Sequence, residues 1–279
     1  MVLRMGNPPM FIRTAAAAIL AAWAPTIALA HDHATAHYLG NEGVMIERGE
    51  TKVLFDAFYS SGFGQYALVP DEINAAMLAG APPFDGVDAI FISHVHGDHF
   101  SPGPAIKYLN AQNDVVLFAP EQVRDALVQA GADEALLQRV RSFLLEPDDA
   151  GVTLSFSVLD VDVVSVPHAG NRPHIQNYAW RVSLDDETTV IHLGDADPRV
   201  SNFSRHQSHF DKKTTHTAFP PYWFVGDTNG ELILSDIIKA KQIIGVHVPK
   251  RAAGNGDEWR TRLGGDLFTD PGETRKIAD

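Results

Sequence analysis

Within six residues the chain carries three histidines and an aspartate: His94, His96, Asp98 and His99. Imidazole and carboxylate together suit borderline divalent ions such as zinc. The spacing matters as much as the residue types. Residues 87–93 form a short apolar run with β-branched members, which predicts a buried strand. Ser101-Pro102 supplies an N-cap followed by proline at the first helical position, so a helix starts just after His99. A loop held between a strand and a helix can turn several side chains toward one point. A solvated polar loop whose histidines bind nothing is the competing reading, and the density of donors argues against it.

Other single donors follow at strand ends. His168 stands in Val166-Pro167-His168, Asp195 in His192-Leu193-Gly194-Asp195, and His247 in Gly245-Val246-His247-Val248-Pro249. Asp56 closes the earlier apolar run Val53-Leu54-Phe55-Asp56. Taken alone, each of these is as well explained by core or surface packing as by ligation.

The run Phe91-Ile92-Ser93-His94-Val95-His96-Gly97-Asp98-His99 resembles the HxHxDH signature of the metallo-β-lactamase superfamily, and the downstream donors occur in that family's order. The resemblance spans about residues 37–249 and implies a four-layer αββα sandwich of the α/β class. It also implies two divalent metal ions, zinc first with manganese or iron as alternatives. His94, His96 and His168 would hold one ion, Asp98, His99 and His247 the other, and Asp195 would bridge them. Asp98 would further receive and deliver a proton. Asp56 would orient the metal-binding loop without touching metal, and His192 would pack beside the site or orient a ligand from behind. The aromatic segment Pro220-Pro221-Tyr222-Trp223-Phe224 resembles one found in some exported and bacterial members; Tyr222 could donate a hydrogen bond to a developing oxyanion, and core packing explains it equally well.

The elements needed to position these groups can be read coarsely. Residues 44–46 and 52–55 flank Arg48-Gly49-Glu50 as a hairpin, Asp71 can cap a helix to about Leu78, and residues 115–118 read as a strand before a helix over 121–130. Strands are expected at 152–157, 161–166, 177–184, 188–193 and 242–248, with helices at 232–240 and about 257–263. The segment 58–64 mixes aromatics with glycine and serine, either a flap over the metals or a surface loop with its aromatics tucked under. His206, His209 and His216 lie among polar residues near Lys212 and Lys213, which reads as a charged, solvated face.

Residues 1–30 stand apart. Arg4 and Arg13 precede an apolar stretch over 15–29 that ends in Ala28-Leu29-Ala30, the pattern of a cleaved signal peptide. This predicts an exported, periplasmic protein with residues 31–279 as a single domain and no stable membrane insertion after cleavage. A net charge of −13 leaves no basic footprint for nucleic acid, so a small-molecule substrate is expected. The chain has no cysteine, which rules out thiolate ligation. Oligomeric state is not legible.

The expected function is metal-dependent hydrolysis of an ester, lactone or phosphodiester. The pattern over residues 37–43, followed by Val53-Leu54-Phe55-Asp56, resembles the lactonase and phosphodiesterase branch of the superfamily. The bridging Asp195 also separates the chain from true β-lactamases, which lack that carboxylate. A β-lactamase-like amide hydrolase, a diiron redox protein and a non-catalytic metal binder on the same fold are the alternatives.

Overall fold

The computed structural model describes residues 33–279; the signal-peptide reading falls on residues outside that range. Two seven-stranded mixed sheets face one another. The first contains β1 (Thr35–Gly40), β2 (Gly43–Arg48), β3 (Thr51–Phe55), β4 (Ala89–Phe91), β5 (Val116–Pro120) and β6 (Val140–Phe143) in that order. The second runs outward from β7 (Val152–Phe156) through β8 (Leu159–Ser165), β9 (Tyr178–Ser183), β10 (Thr189–His192), β11 (Thr215–Phe219) and β12 (Ala240–Gly245) to β13 (Asp266–Leu267). The last strand, β14 (Thr274–Lys276), returns to pair antiparallel with β1 and extends the first sheet.

Period-two alternation explains why the central strands read as unbroken apolar runs. In β2 and β3, Val44, Ile46, Val53 and Phe55 point into the core shared by the two sheets, where they meet Val161, Trp180, Val190 and Phe219. Their neighbours Met45 and Leu54 point the other way, with Ile90 and Leu117, onto Met77 of α1 (Asp71–Ala79), Tyr108 and Leu109 of α2 (Pro102–Ala111) and Val123 of α3 (Glu121–Gln129). The outer face of the second sheet is covered in the same way, Ile191 and Ala218 packing on Phe203, Ile233 and Leu234. Both faces of each sheet are therefore buried, as parallel strands require. The result is the α/β four-layer sandwich that the resemblance implies.

Several local expectations need correction. Asp71 is the first helical residue; Pro70 occupies the cap and no side chain caps the helix. β4 is only three residues long, because the chain leaves the sheet after Phe91 to build the loop that carries His94. The helix expected at 232–240 starts earlier, at Thr228–Leu232, and continues as a π turn over Ile233–Ile237. His206, His209 and His216 are buried, not solvated. His206 donates from Nε2 to the Ser165 carbonyl, and the His216 ring accepts the Thr189 N–H at 2.9 Å. His209 packs near Asp162, which forms a buried ion pair with Arg181.

The two sheets are cross-tied beside the His94 loop. Trp180 of β9 donates its indole N–H to the carbonyl of Ile92 at 2.9 Å, and the Tyr178 amide bonds the Ser93 carbonyl. A bonded buried carbonyl avoids a desolvation cost of roughly 1–3 kcal/mol. These ties locate the start of the loop to within hydrogen-bond tolerance.

Candidate metal centre

The loop 94–99 is a tight turn: the amides of His99 and Phe100 both bond the His96 carbonyl. Ser101 caps α2 by backbone position only; its hydroxyl accepts the Ser60 amide and so holds the overlying segment. Gln65, Tyr66 and the exposed Phe63 line a cleft that opens over the loop, while Phe58 and Tyr59 are tucked under. In the segment 58–64 two aromatics are thus tucked under, and Phe63 stands at the cleft.

The structure brings together all seven donors predicted from the sequence. Among the described residues, His94, His96, His168 and Asp195 form one group that could hold a metal ion, and Asp98, His99 and His247 form another. In the first, His96 Nδ1 stands 3.1 Å from His94 Nε2 and 3.0 Å from His168 Nε2. In the second, the Asp98 carboxylate lies 3.8 Å from His99 Nε2 and 3.5 Å from His247 Nε2. Asp195 lies between them. Its Oδ2 is 3.3 Å from His168 Nε2 and 3.9 Å from His94 Nε2, while its Oδ1 is 3.0 Å from His247 Nε2 and 3.4 Å from His99 Nε2.

These separations test whether cations fit. Donors placed about 2.0–2.1 Å from a tetrahedral ion stand about 3.3–3.4 Å apart, close to the spacings seen here. The nitrogens that face inward are also left free to ligate. His168 donates from Nδ1 to the Ala169 carbonyl at 2.6 Å, His99 donates from Nδ1 to Asp56 at 2.9 Å, and His94 donates from Nδ1 to the Ser93 hydroxyl at 2.9 Å. Each outward bond fixes the tautomer and presents the Nε2 lone pair to the centre. His99 Nε2, Asp195 Oδ1 and His247 Nε2 are buried without a hydrogen-bond partner, which a bound cation would remedy.

Asp56 organises two of these rings. Its carboxylate accepts the Ser93 amide at 2.7 Å, the Ser93 hydroxyl at 2.5 Å and His99 Nδ1. Through Ser93 it also reaches His94. His192 packs beside the site as expected: its buried ring stacks on Phe55, donates to the Glu42 carbonyl at 3.0 Å, accepts the Gly194 amide at 3.4 Å and stands in one cluster with Glu42 and Asp56. Tyr222 does not line the cleft. It packs edge-on against Trp259 while its neighbour Trp223 faces the site, with its ring 5.2 Å from that of His247.

Backbone strain concentrates at the same place. Asp56 and His247 have φ of 40° and 59°, values that a β-carbon disfavours. The His247 amide is anchored to the Asn41 carbonyl at 2.9 Å, two residues beyond the end of β12. Gly194 has φ +55°, and a β-carbon there would lie 2.5 Å from both Asn177 Oδ1 and Ser93 Cβ. Only glycine lets the chain turn so that Asp195 enters the centre. Asn177 completes the turn by accepting the Asp195 amide and donating to the Leu193 carbonyl.

The electrostatics divide the centre in two. Burial, reinforced by neighbouring imidazoles, pushes His94 well below the ordinary histidine range and His96 down to about 4. Burial acts the same way on His247, but Asp195 and Asp98 outweigh it and lift this ring to about 10. For His99 burial is likewise outweighed, here by Asp195, Asp56 and Glu42, leaving the ring well above its usual value. Burial alone would raise Asp195; His247 and His99 overcome it and hold the carboxylate well below the usual range. The histidine-rich side is therefore ready to donate lone pairs, whereas the carboxylate-rich side attracts positive charge.

Sequence reasoning gave no role to Asn41, Glu42, Tyr66, Arg172 or Trp223, although Asn41, Glu42 and Trp223 fall in segments it singled out. Asn41 donates from Nδ2 to the Asp98 carbonyl at 2.9 Å and so joins the β1–β2 turn to the metal loop. Glu42 is fully buried, 3.7 Å from His99 Nδ1 and 3.5 Å from His192 Nε2, and burial drives its carboxyl well above the ordinary range. A turn rich in polar residues gives no sign that it will be covered.

A family model for a β-lactamase superfamily domain matches residues 51–207, more than half of the chain. The protein belongs to this metallo-β-lactamase superfamily of metal-dependent hydrolases. The metallo-hydrolase Igni18 from the hyperthermophilic archaeon Ignicoccus hospitalis aligns over 88% of this chain and 99% of its own, with 13% identity and a TM-score of 0.58. A possible metal-dependent hydrolase from Veillonella parvula aligns over 87% and 99%, at 15% identity and a TM-score of 0.57. An isothiocyanate hydrolase from Delia radicum gut bacteria aligns over 88% and 100%, at 14% identity and a TM-score of 0.56. At these identities the likeness is one of fold. No curated protein matches the chain.

Proposed function

We propose that this chain is an exported hydrolase that uses two divalent metal ions to cleave an ester, lactone or phosphodiester in a small molecule. The observation that carries the reading is the orientation of Asp195, whose two oxygens face separate donor groups at 3.0–3.9 Å. His94, His96 and His168 would hold one ion, and Asp98, His99 and His247 the other. Five imidazoles and two carboxylates without thiolate suit zinc, with manganese or iron as alternatives. When bound, such a pair supplies Lewis acidity and an acidified water.

The chain's own groups would do the rest. Asp98 has one carboxylate edge toward His247 and lines the cleft, so it can take a proton from attacking water and return it to the leaving oxygen. Burial opposes its ionisation, but His247 and His99 outweigh that and keep it below the ordinary carboxylate range. Water oxygen bonds to the acyl or phosphoryl centre, the bond to the leaving oxygen breaks, and that oxygen gains the proton. The cleft, about 680 Å³, suits a small substrate. Export rests on the Arg4, Arg13 and 15–29 pattern, and the −13 charge supports a partner other than nucleic acid.

The test is elemental analysis of the natively produced protein beside a panel of esters, lactones, phosphodiesters and nitrocefin. Two equivalents of metal and turnover of an oxygen ester, lost in His96→Ala and Asp195→Ala, support the reading. Turnover of nitrocefin alone would favour an amide hydrolase, and iron with visible absorption but no hydrolysis would favour redox chemistry.

A further inference from the structure

Arg172 is the one lysine or arginine among the described residues lining the cleft. Several other arginines are paired with acids: Arg48 with Asp185, Arg205 with Asp148, Arg260 and Arg275 with Glu273. No carboxylate among the described residues pairs with Arg172, although the chain as a whole is strongly acidic. Asp197, the nearby acid of the cleft wall, is already taken up by the Arg199 amide and the Asn202 side chain. Arg172 lines the same cleft as His96, His168 and Asp195.

The backbone under Arg172 is fixed at both ends. Ala169 donates its amide to the Asp195 carbonyl at 2.8 Å, and the Arg172 carbonyl accepts the Ile175 amide at 3.1 Å. Between them Gly170 and Asn171 take φ of 74° and 54°, turning the chain back over the site. Arg172 is therefore an exposed residue, four positions after His168, on the wall of the cleft that His168 and Asp195 also line. The same cleft is lined by Phe63, Tyr66 and Trp223, and Phe63 is 60% exposed.

We infer that the cleft selects substrates carrying an anionic oxygen group beside the scissile bond, with Arg172 as the group that recognises it and Phe63, Tyr66 and Trp223 as an apolar wall for the remainder. The inference rests on the hydrolase reading and narrows its substrate class. A guanidinium presents a planar fork of donors that matches carboxylate or phosphoryl oxygens with two parallel charge-assisted bonds. An acidic protein with an unpaired arginine at its cleft repels anions in general and accepts them at one position.

Two measurements test this, using zinc-loaded wild type, Arg172→Ala and Arg172→Lys. The first is kcat/KM for an anionic and a neutral substrate, mono-4-nitrophenyl succinate against 4-nitrophenyl butyrate. The preference for the anionic ester should fall roughly 10–100-fold in Arg172→Ala and recover in part with lysine. The second is calorimetric binding of phenylphosphonate, which needs no turnover; affinity should fall about tenfold or more in Arg172→Ala. Unchanged preference and unchanged affinity would overturn the inference while leaving hydrolysis intact. Weakened phosphonate binding with no turnover of either ester by wild type would keep the anion subsite and remove the hydrolase reading. Circular dichroism of each variant checks that this exposed loop tolerates the change.

Discussion

Replacing Asp56 with asparagine changes no shape but removes an acceptor from the hub behind the centre. The carboxylate accepts three hydrogen bonds, from the Ser93 amide, the Ser93 hydroxyl and His99 Nδ1. An amide keeps one acceptor oxygen and presents an NH2 group to at least one of these buried donors. One unsatisfied donor costs about 1–3 kcal/mol, so the metal-free protein should lose about that much stability. The larger effect falls on ligation. His99 loses the partner that fixes its tautomer, and His94 loses the end of its Ser93 relay, so affinity at both sites should drop about 10–100-fold. Ser93→Ala is the control: it breaks the His94 relay and leaves the His99–Asp56 bond intact. Chelator competition on the two variants, with metal-free melting in parallel, separates the effects. Asp56→Asn should weaken both ions, and Ser93→Ala one ion more than the other. Wild-type affinity for both ions in Asp56→Asn would refute the reasoning.

Other outcomes follow from neighbouring contacts. Gly194→Ala should cost about 2 kcal/mol or more, because φ +55° and a 2.5 Å clash coincide, and should also displace Asp195; denaturant melts and metal content read both. Asn41→Ala removes the bond to the Asp98 carbonyl and should lower stability by about 1–3 kcal/mol while weakening metal uptake, measured by melting and competition. Burial holds His206 and His216 below their ordinary value of 6.5, so each favours the neutral form when folded. Their contribution is complete above pH 6.5 and is lost as pH falls through that value toward the folded one, because the unfolded chain binds protons first. The stability change between pH 7.5 and 5.5, from urea melts of the metal-free protein, should therefore shift toward greater acid tolerance in His216→Gln relative to wild type.

The part of the site that is legible in the sequence is the part built by local spacing. His94 to His99 announce themselves because a buried strand and a proline-capped helix leave only a short loop for four donors. The paired runs at 152–157 and 161–166 and the 44–55 hairpin are equally local, and β7–β8 and β2–β3 form as read. Asp195 and His247 needed the family's order, since nothing near them in sequence shows that Gly194 turns tightly or that the chain passes two residues beyond β12 before presenting the ring. Glu42 was hidden for the opposite reason. It sits in a hairpin turn, the usual place for a solvated carboxylate, and only the returning His192 and His99 bury it. The His206–His216 stretch misled through Lys212 and Lys213: Lys212 is exposed and Lys213 pairs with Asp160, while His209 turns inward toward Asp162. Arg172, Tyr66 and Trp223 belong to three distant segments, and their convergence is a property of the sandwich rather than of any window of residues.

The central claim is that Asp195 joins two cations. Diffraction from metal-loaded crystals, collected on either side of the metal's absorption edge, tests it directly. Two anomalous peaks about 3.5–4 Å apart, each in contact with one Asp195 oxygen and with its own histidines, is the expected result. A single peak, or two peaks that Asp195 does not touch, would contradict it.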